Sequence, residues 1–493
     1  MITSNMELWK ELEHQARQIR LLMLENSSVF SKRKQPDYCI SSNNILLDFN
    51  HQWINTTILK LLIKLAESCH LPWMINSLME GNPVNTSENK PALHTATRAS
   101  AEKCLVVNNQ DIIAQVLKER EHMYTVAEQI RKGEWFGYSN KKITDVVNIG
   151  VGGSYLGAQF CIGALTDLVT EELQFHFIAD VDPNAFKRVV SKLQPETTLF
   201  IISSKSFTTQ ETMANARKAM TWIGQSKEAQ RHFIAITAFP TKARELGYQH
   251  ILTIGDWVGG RFSFCSAINL ITCIAIGKEH FSSMLKGAES MDEHFSTTPF
   301  SKNLPVILAL LGIWNNNFLH IHLLLVLTYA HSFQYFVSYI QQLDMESNGK
   351  SIDKEGRAVN YATGPVILGG NATQVQHSYY QLLCQGTHKF AADLLSLDDL
   401  STDPSNQVCL AHREIFTNGF NDENNPLTRI PVNIPINHIR LSDGSPTSIG
   451  SIIALYEHKI FVQSVIWNIN PFDQPGVDGV KKIFKNPSLI PSL

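Results

Sequence analysis

Apolar residues return every three or four positions through residues 7–25 and 53–70, with Leu8, Leu12, Ile19 and Leu22 in the first stretch and Leu61, Leu62 and Leu65 in the second. This spacing predicts amphipathic helices, so the first hundred residues read as mainly helical, broken at the turn Gly81-Asn82-Pro83. From about residue 140 the pattern changes. Short β-rich runs at Asp145–Ile149, Gln174–Ala179, Thr198–Ser203 and Phe233–Thr237 alternate with helical spacing over Ser154–Leu165, Asn184–Leu193 and Gln210–Ile223. Strand and helix at this interval predict a parallel sheet wound with right-handed crossovers, which binds ligands beyond the carboxyl ends of its strands. A second such region starts at Val366-Ile367-Leu368, followed by Gly369-Gly370 and a helix through Tyr379–Leu383. Thr417–Pro435, rich in Asn and Pro, reads as a connecting loop.

The most hydrophobic part of the chain is Leu304–Ala330. Its two runs, Pro305–Trp314 and Ile321–Leu327, are separated by Asn315-Asn316-Asn317 and are each too short to span a membrane, so both read as core helices. With 493 residues the chain is long enough for two to four packing units. Lys plus Arg is 42 and Asp plus Glu is 45, for a net charge of −3. That balance excludes nucleic acid or an anionic membrane as the main partner, since both select a basic surface. The eight cysteines include no C-x-x-C pair, and His320-x-His322 has no third ligand nearby. Reduced thiols and no metal are expected. The opening Met1–Glu7 shows neither the basic region nor the apolar core of a secretory signal, so a cytoplasmic location is expected.

Several segments carry chemistry. Gly150-Val151-Gly152-Gly153-Ser154 follows the first strand of the α/β region and opens a helix, where backbone N–H groups and the helix dipole favour an anion; a tight structural turn explains the glycines equally well. Ser203 to Thr209 holds four hydroxyls besides Ser203 and one ammonium, again after a strand. Thr208-x-x-Glu211 fits a capping box, but capping needs one hydroxyl, and the surplus beside Lys205 resembles a phosphate cradle. In Gly259-Gly260-Arg261 two glycines let the chain turn sharply and aim a guanidinium into a cleft. Gln342 and Glu346 end a helical stretch, where a carboxylate can act as a general base or simply be solvated. Taken singly, Gln376-His377 and Asn470–Lys481 are unspecific.

In series, these segments resemble the phosphoglucose isomerases. The resemblance covers about Asn85 to Lys481 and rests on Thr86–His94, Ile149–Ser154, Ser204–Thr212, Asp256–Ser263, Gln341–Lys350, Gln376-His377, Tyr456–Lys459 and Phe472–Gln474. It implies an α/β fold of two doubly wound parallel-sheet sugar-isomerase domains (SIS-type), with a helical N-terminal region and a C-terminal arm. The corresponding boundaries are 1–100 for a helical region packed on the second domain, 101–280 and 281–475 for the two α/β domains, and 476–493 for the arm. It further implies reversible isomerisation of glucose 6-phosphate and fructose 6-phosphate through a cis-enediol, without a cofactor or metal. By the same resemblance, Gly153, Ser154, Ser204, Lys205, Ser206 and Thr209 would hold the phosphate, with Gly260 lining the site. Glu346 would move the proton and Arg261 stabilise the enediolate; His377 and Lys481 would assist ring opening, with His377 supplied across a homodimer interface. Gln342 and Gln474 would line the sugar site and Glu211 support His377. A broader isomerase acting on mannose 6-phosphate, or a sugar-phosphate-sensing regulator, are the alternatives, though a regulator would lack the Glu/Arg/His/Lys set. Asp478 stands where these isomerases usually carry Glu, and Asn371–Val375 is an unusual version of the loop before Gln376.

Overall fold

The run Thr198–Ser203 is apolar on both of its faces, and in the computed structural model every one of its residues is buried at the centre of a five-stranded parallel sheet. Strands buried on both faces are the mark of a sheet covered by helices on each side. The structure describes residues 3–25, 30, 33–224, 227–398, 403–431 and 433–485. The strands are numbered from the N-terminal hairpin, β1 (Cys39–Ser42) and β2 (Ile45–Asp48). The five-stranded sheet comprises β3 (Asp145–Ile149), β4 (Gln174–Ile178), β5 (Thr198–Ser203), β6 (Phe233–Thr237) and β7 (His250–Thr253), in the order β4-β3-β5-β6-β7. The order reverses between β3 and β5, which pair in parallel with Ile149 opposite Ile202. Both strands therefore end at the same level, and the loops that leave them lie side by side at the switch point where such sheets bind ligands.

A six-stranded sheet repeats this plan with β8 (Leu323–Thr328), β9 (Val366–Asn371), β10 (Ala391–Leu397) and β11 (Ile436–Leu441). Its order is β1-β2-β11-β10-β8-β9, so the parallel part again reverses beside its first strand. One expectation is corrected here. Ile321–Leu327 is not a core helix: Leu323–Thr328 is the interior strand β8, paired on both sides. A short, wholly apolar run has no periodicity to separate a buried strand from a buried helix. The first hundred residues are mainly helical, as their spacing predicts, and add one hairpin. Besides the helices Thr3–Glu25, Thr56–Ser68 and Leu71–Met79 they supply the hairpin β1–β2, which extends the second sheet antiparallel to β11. The predicted arm 476–493 is described as far as Lys485, within the helix Pro475–Lys485, and its remainder lies outside the described residues.

The helix Pro446–Ile466 is long and apolar enough to cross a membrane, yet it is buried along its length. It packs on Lys278–Thr297 at very close range, because a Cβ at Gly287 would lie 1.9 Å from the Thr447 carbonyl oxygen and one at Gly450 1.9 Å from that of Met284. Three consecutive polar side chains in its middle must find partners inside the protein. Glu457 accepts from Arg98 at 2.5 Å, His458 meets Asp292 at 2.6 Å, and Lys459 donates to Asp344 at 2.7 Å. Arg98 also binds Asp292 in a fork, at 2.8 and 2.7 Å. Burial raises Glu457 to about 7, whereas Asp292, despite its own burial, is held at about 2 by Arg98 and His458. Breaking one member of such a buried pair costs about 3–5 kcal/mol, so this helix locks three distant segments, one of them adjoining Glu346.

Candidate active site

The loop after β3 is shaped by what its glycines leave out. A Cβ on Gly152, whose φ is +55°, would fall 2.6 Å from the Gln342 amide nitrogen, and one on Gly153 would fall 2.1 Å from the Gly260 carbonyl oxygen. Bare backbone there lets this loop, the Gly260–Phe262 turn and the Gln342 side chain converge. Gly152–Ser154 form a single 3₁₀ turn, so the helix begins at Leu156 and not at Ser154. Asn148 joins the two switch-point loops: its amide donates to the Ser154 carbonyl at 3.0 Å and its oxygen accepts from the Ser203 hydroxyl at 2.8 Å.

The loop after β5 presents hydroxyls at the start of a helix. Ser204 and Thr209 place their hydroxyls 3.2 Å apart, and the Ser206 hydroxyl accepts from that of Thr208 at 2.9 Å. Phe207 holds a left-handed φ of 52°, and its buried ring packs edge-on against Tyr248, which pins the strained turn to the core. The capping box is not formed. The N-cap of Gln210–Ile223 is Thr209, its side chain caps nothing, and the helix N-terminus is left open beside the hydroxyls. That is the arrangement that favours an anion. Lys205, beside Ser204 in the same loop, lines a small cavity with Glu88, Lys90 and Asp256, and burial lowers its pKa against the pull of Glu88 and Asp256.

Glu346 follows a π-helical turn, Gln341–Met345, inserted into the helical stretch that begins at Phe336. The wider turn sets Gln342 and Glu346 face to face, with the amide donating to the carboxylate at 3.0 Å. The buried Arg261 Nη1 lies 3.3 Å from the same Glu346 oxygen and donates to Gln474 Oε1 at 3.1 Å. The rest of the guanidinium is spent on the walls: Nε on the Ser347 hydroxyl at 2.6 Å, Nη2 on the Pro471 carbonyl and, at 2.9 Å, on that of Asp473. Burial lowers the Arg261 pKa, opposed by Glu346 and Asp473. Glu346 and Gln474 open onto a cavity of about 530 Å³ shared with Thr86, Ser87, Lys350 and Asn470. A carboxylate with 22% side-chain exposure, beside a fixed cation and a cavity, can exchange a proton with a bound carbon acid.

Within one chain the structure brings together Gly153, Ser154, Ser204, Ser206, Thr209, Gly260, Arg261, Gln342, Glu346 and Gln474 around the two switch-point loops and this cleft. Lys205 lies in the same loop between Ser204 and Ser206, whereas three residues stand exposed. His377 is exposed after the short helix Ala372–Gln376, Glu211 is exposed at the head of its helix, and Lys481 is exposed and pairs with Asp478 at 3.4 Å. Ser347, Lys350 and Asp473, which the sequence reading passed over, hold the walls in place. All three stand inside the matching segments, but nothing in their local pattern separates them from solvated neighbours.

Comparison with known proteins places this arrangement. The family described as phosphoglucose isomerase matches residues 48–429 and 425–488. A glucose-6-phosphate isomerase of Legionella pneumophila (strain Lens) is 50% identical over 491 residues, covering 98% of this chain and 97% of that one. One from Campylobacter jejuni subsp. doylei is 40% identical, covering 91% and 87%. Among solved structures, a glucose-6-phosphate isomerase from Chlamydia trachomatis superposes with a TM-score of 0.88 at 29% identity, covering 98% of this chain and 95% of that one.

Proposed function

The chain belongs to the phosphoglucose isomerase family and interconverts glucose 6-phosphate and fructose 6-phosphate; from that premise we propose how its own residues divide the work. Glu346 is the base that takes the proton from C2 of the open-chain aldose. The electrons of that C–H bond form the C1–C2 double bond and the charge collects on O1. A proton then passes from the O2 hydroxyl to O1, and the same carboxyl returns its proton to C1 as the electrons on O2 form the C2 carbonyl. Arg261 offsets the charge on the enediolate through Nη1, the guanidinium nitrogen shared between Glu346 and Gln474. The observation that carries this reading is the bracketing of one Glu346 oxygen by Arg261 at 3.3 Å and Gln342 at 3.0 Å, at the edge of the cavity.

The phosphate belongs at the switch point, on Ser154, Lys205, the hydroxyls of Ser204, Ser206 and Thr209, and the open helix N-terminus behind them. Changing Ser204 and Thr209 together to Ala is expected to raise KM for the sugar phosphate and to weaken competitive inhibition by inorganic phosphate. Hydrogen bonds to a charged acceptor are worth about 1.5–3 kcal/mol each, so a rise of about tenfold or more is expected. An unchanged KM places the phosphate elsewhere.

His377 and Lys481 act in ring opening, with His377 of the partner subunit completing each site of a homodimer, and Glu211 supporting that histidine. Exposed apolar side chains on the helix that follows His377 and on the loop bound to it support this reading: Leu382 is 50% exposed, Phe420 52% and Leu427 89%, and Gln385 ties the Leu382 helix to the loop that carries Leu427. Co-refolding the inactive Glu346→Gln and His377→Ala chains is expected to return about a quarter of parental activity. Half the dimers are then hybrids, and each hybrid has one site with both groups intact. No recovery, with hybrids present, means that both residues come from one chain.

A further inference from the structure

Lys350 closes the segment that carries Glu346, and its side chain is only 10% exposed. It donates to the carbonyls of Glu346 and Ser347 at 3.2 and 2.8 Å, and to those of Asn470 and Asp473 at 2.9 and 3.1 Å. It also lies 3.2 Å from Asp473 Oδ1. Two of these oxygens belong to the turn of the base. The other three belong to the loop that carries Gln474 and accepts from Arg261, more than a hundred residues away in sequence. We propose that Lys350 is a positioning residue for the isomerisation: its protonated amine clamps the Glu346 turn to the 470–474 loop and so fixes the width of the cleft between base and sugar site. The inference rests on Glu346 being the base.

The charged groups facing the amine are Arg261 from the Gly260–Phe262 turn, Asp473 from the opposite loop and Glu346 from its own turn. Burial, reinforced by Arg261, brings the Lys350 pKa down to about 8, although Asp473 and Glu346 pull it upward. The folded value lies below the ordinary lysine value of 10.5, so the clamp is charged below about pH 8 and loses its proton as pH rises through that value. A neutral amine has one fewer N–H to share among five oxygens and no charge to offset the Asp473 carboxylate. Between about 8 and 10.5 the unfolded chain binds the extra proton, so this group makes stability rise with pH over the window in which the clamp opens. Alkaline loss of turnover is thereby separable from unfolding.

The test is the pH profile of kcat for the parent, Lys350→Met and Lys350→Arg. The parent should lose turnover above about pH 8 while its circular dichroism is unchanged. Lys350→Met should lower kcat by about 10- to 100-fold, the range expected for a small misplacement of a base. Its inhibition constant for inorganic phosphate should stay within about twofold, because the phosphate loops are untouched. Lys350→Arg, which keeps its charge at every pH reached, should recover part of that kcat and carry its alkaline limb more than about one unit higher. A parental profile flat to about pH 9.5, a folded Lys350→Met with more than about half of parental kcat, or an Arg variant whose limb stays put each overturns the clamp. If the Met variant does not fold, the limb of the Arg variant decides. Failure of the base reading shows separately, as residual turnover in Glu346→Gln.

Discussion

Glu346→Gln is expected to lower kcat by at least about 10³ with little change in substrate affinity. The amide keeps the size of the carboxylate and its contact with Gln342, but it has no basic lone pair to accept a carbon-bound proton. General-base contributions run at about 10²–10⁴, and carbon acids, which are slow to give up a proton, lie at the upper end. Binding energy comes from the phosphate loops, which the substitution leaves alone. The parent should carry solvent deuterium into C2 of glucose 6-phosphate, and the variant should all but stop. More than about a tenth of parental kcat in the variant rules Glu346 out as the base and turns attention to Asp344. The structure already weighs against that substitute, since Asp344 is fully buried and engaged by Lys459 at 2.7 Å.

The second large effect is expected at Arg261. Replacing it with Met should lower kcat by about 10²–10³, the usual loss when a fixed donor to a developing oxyanion is removed. A stability cost should accompany it, because the Ser347 hydroxyl and the Pro471 and Asp473 carbonyls lose their donor in a buried place. Each such group left unpaired costs about 1–3 kcal/mol, so urea unfolding should shift along with kcat. Arg261→Lys should not restore activity, since a single ammonium does not reproduce the planar fork whose three nitrogens separately meet Ser347, Gln474 and the Pro471 and Asp473 carbonyls. If Arg261→Met keeps kcat within about tenfold while stability falls, the guanidinium ties the walls together and does not stabilise the enediolate.

Much of the first sheet was legible before any coordinates. Asp145–Ile149, Thr198–Ser203, Phe233–Thr237 and the helix Gln210–Ile223 fall where the apolar pattern put them. The segments that converge on the cleft were legible too, because each is a short contiguous run whose chemistry shows in its residue types. Glycines before Ser154, hydroxyls after β5, and Arg261 after two glycines are local statements about backbone freedom and donor supply. Their common purpose was readable only from the series as a whole, through its resemblance to a family.

What the pattern left open was decided by desolvation and by contacts between distant parts of the chain. Leu323–Thr328 became a strand because β9 and β10 were there to pair with it, and β1–β2 because β11 offered an edge. Thr209 meets Ser204 with its hydroxyl and leaves its helix N-terminus uncapped, and the Gly153 turn is bare because the Gly260 carbonyl, folded in from elsewhere, presses on it. By composition alone, Glu457-His458-Lys459 looks like a solvated polar patch. It is buried because Arg98, Asp292 and Asp344 meet it, and no local pattern encodes a partner that lies more than a hundred residues away. Residue types and local spacing determined which chemistry this protein carries. Pairing of buried charges and strand edges, which acts across the whole chain, decided where each group points and what holds it there.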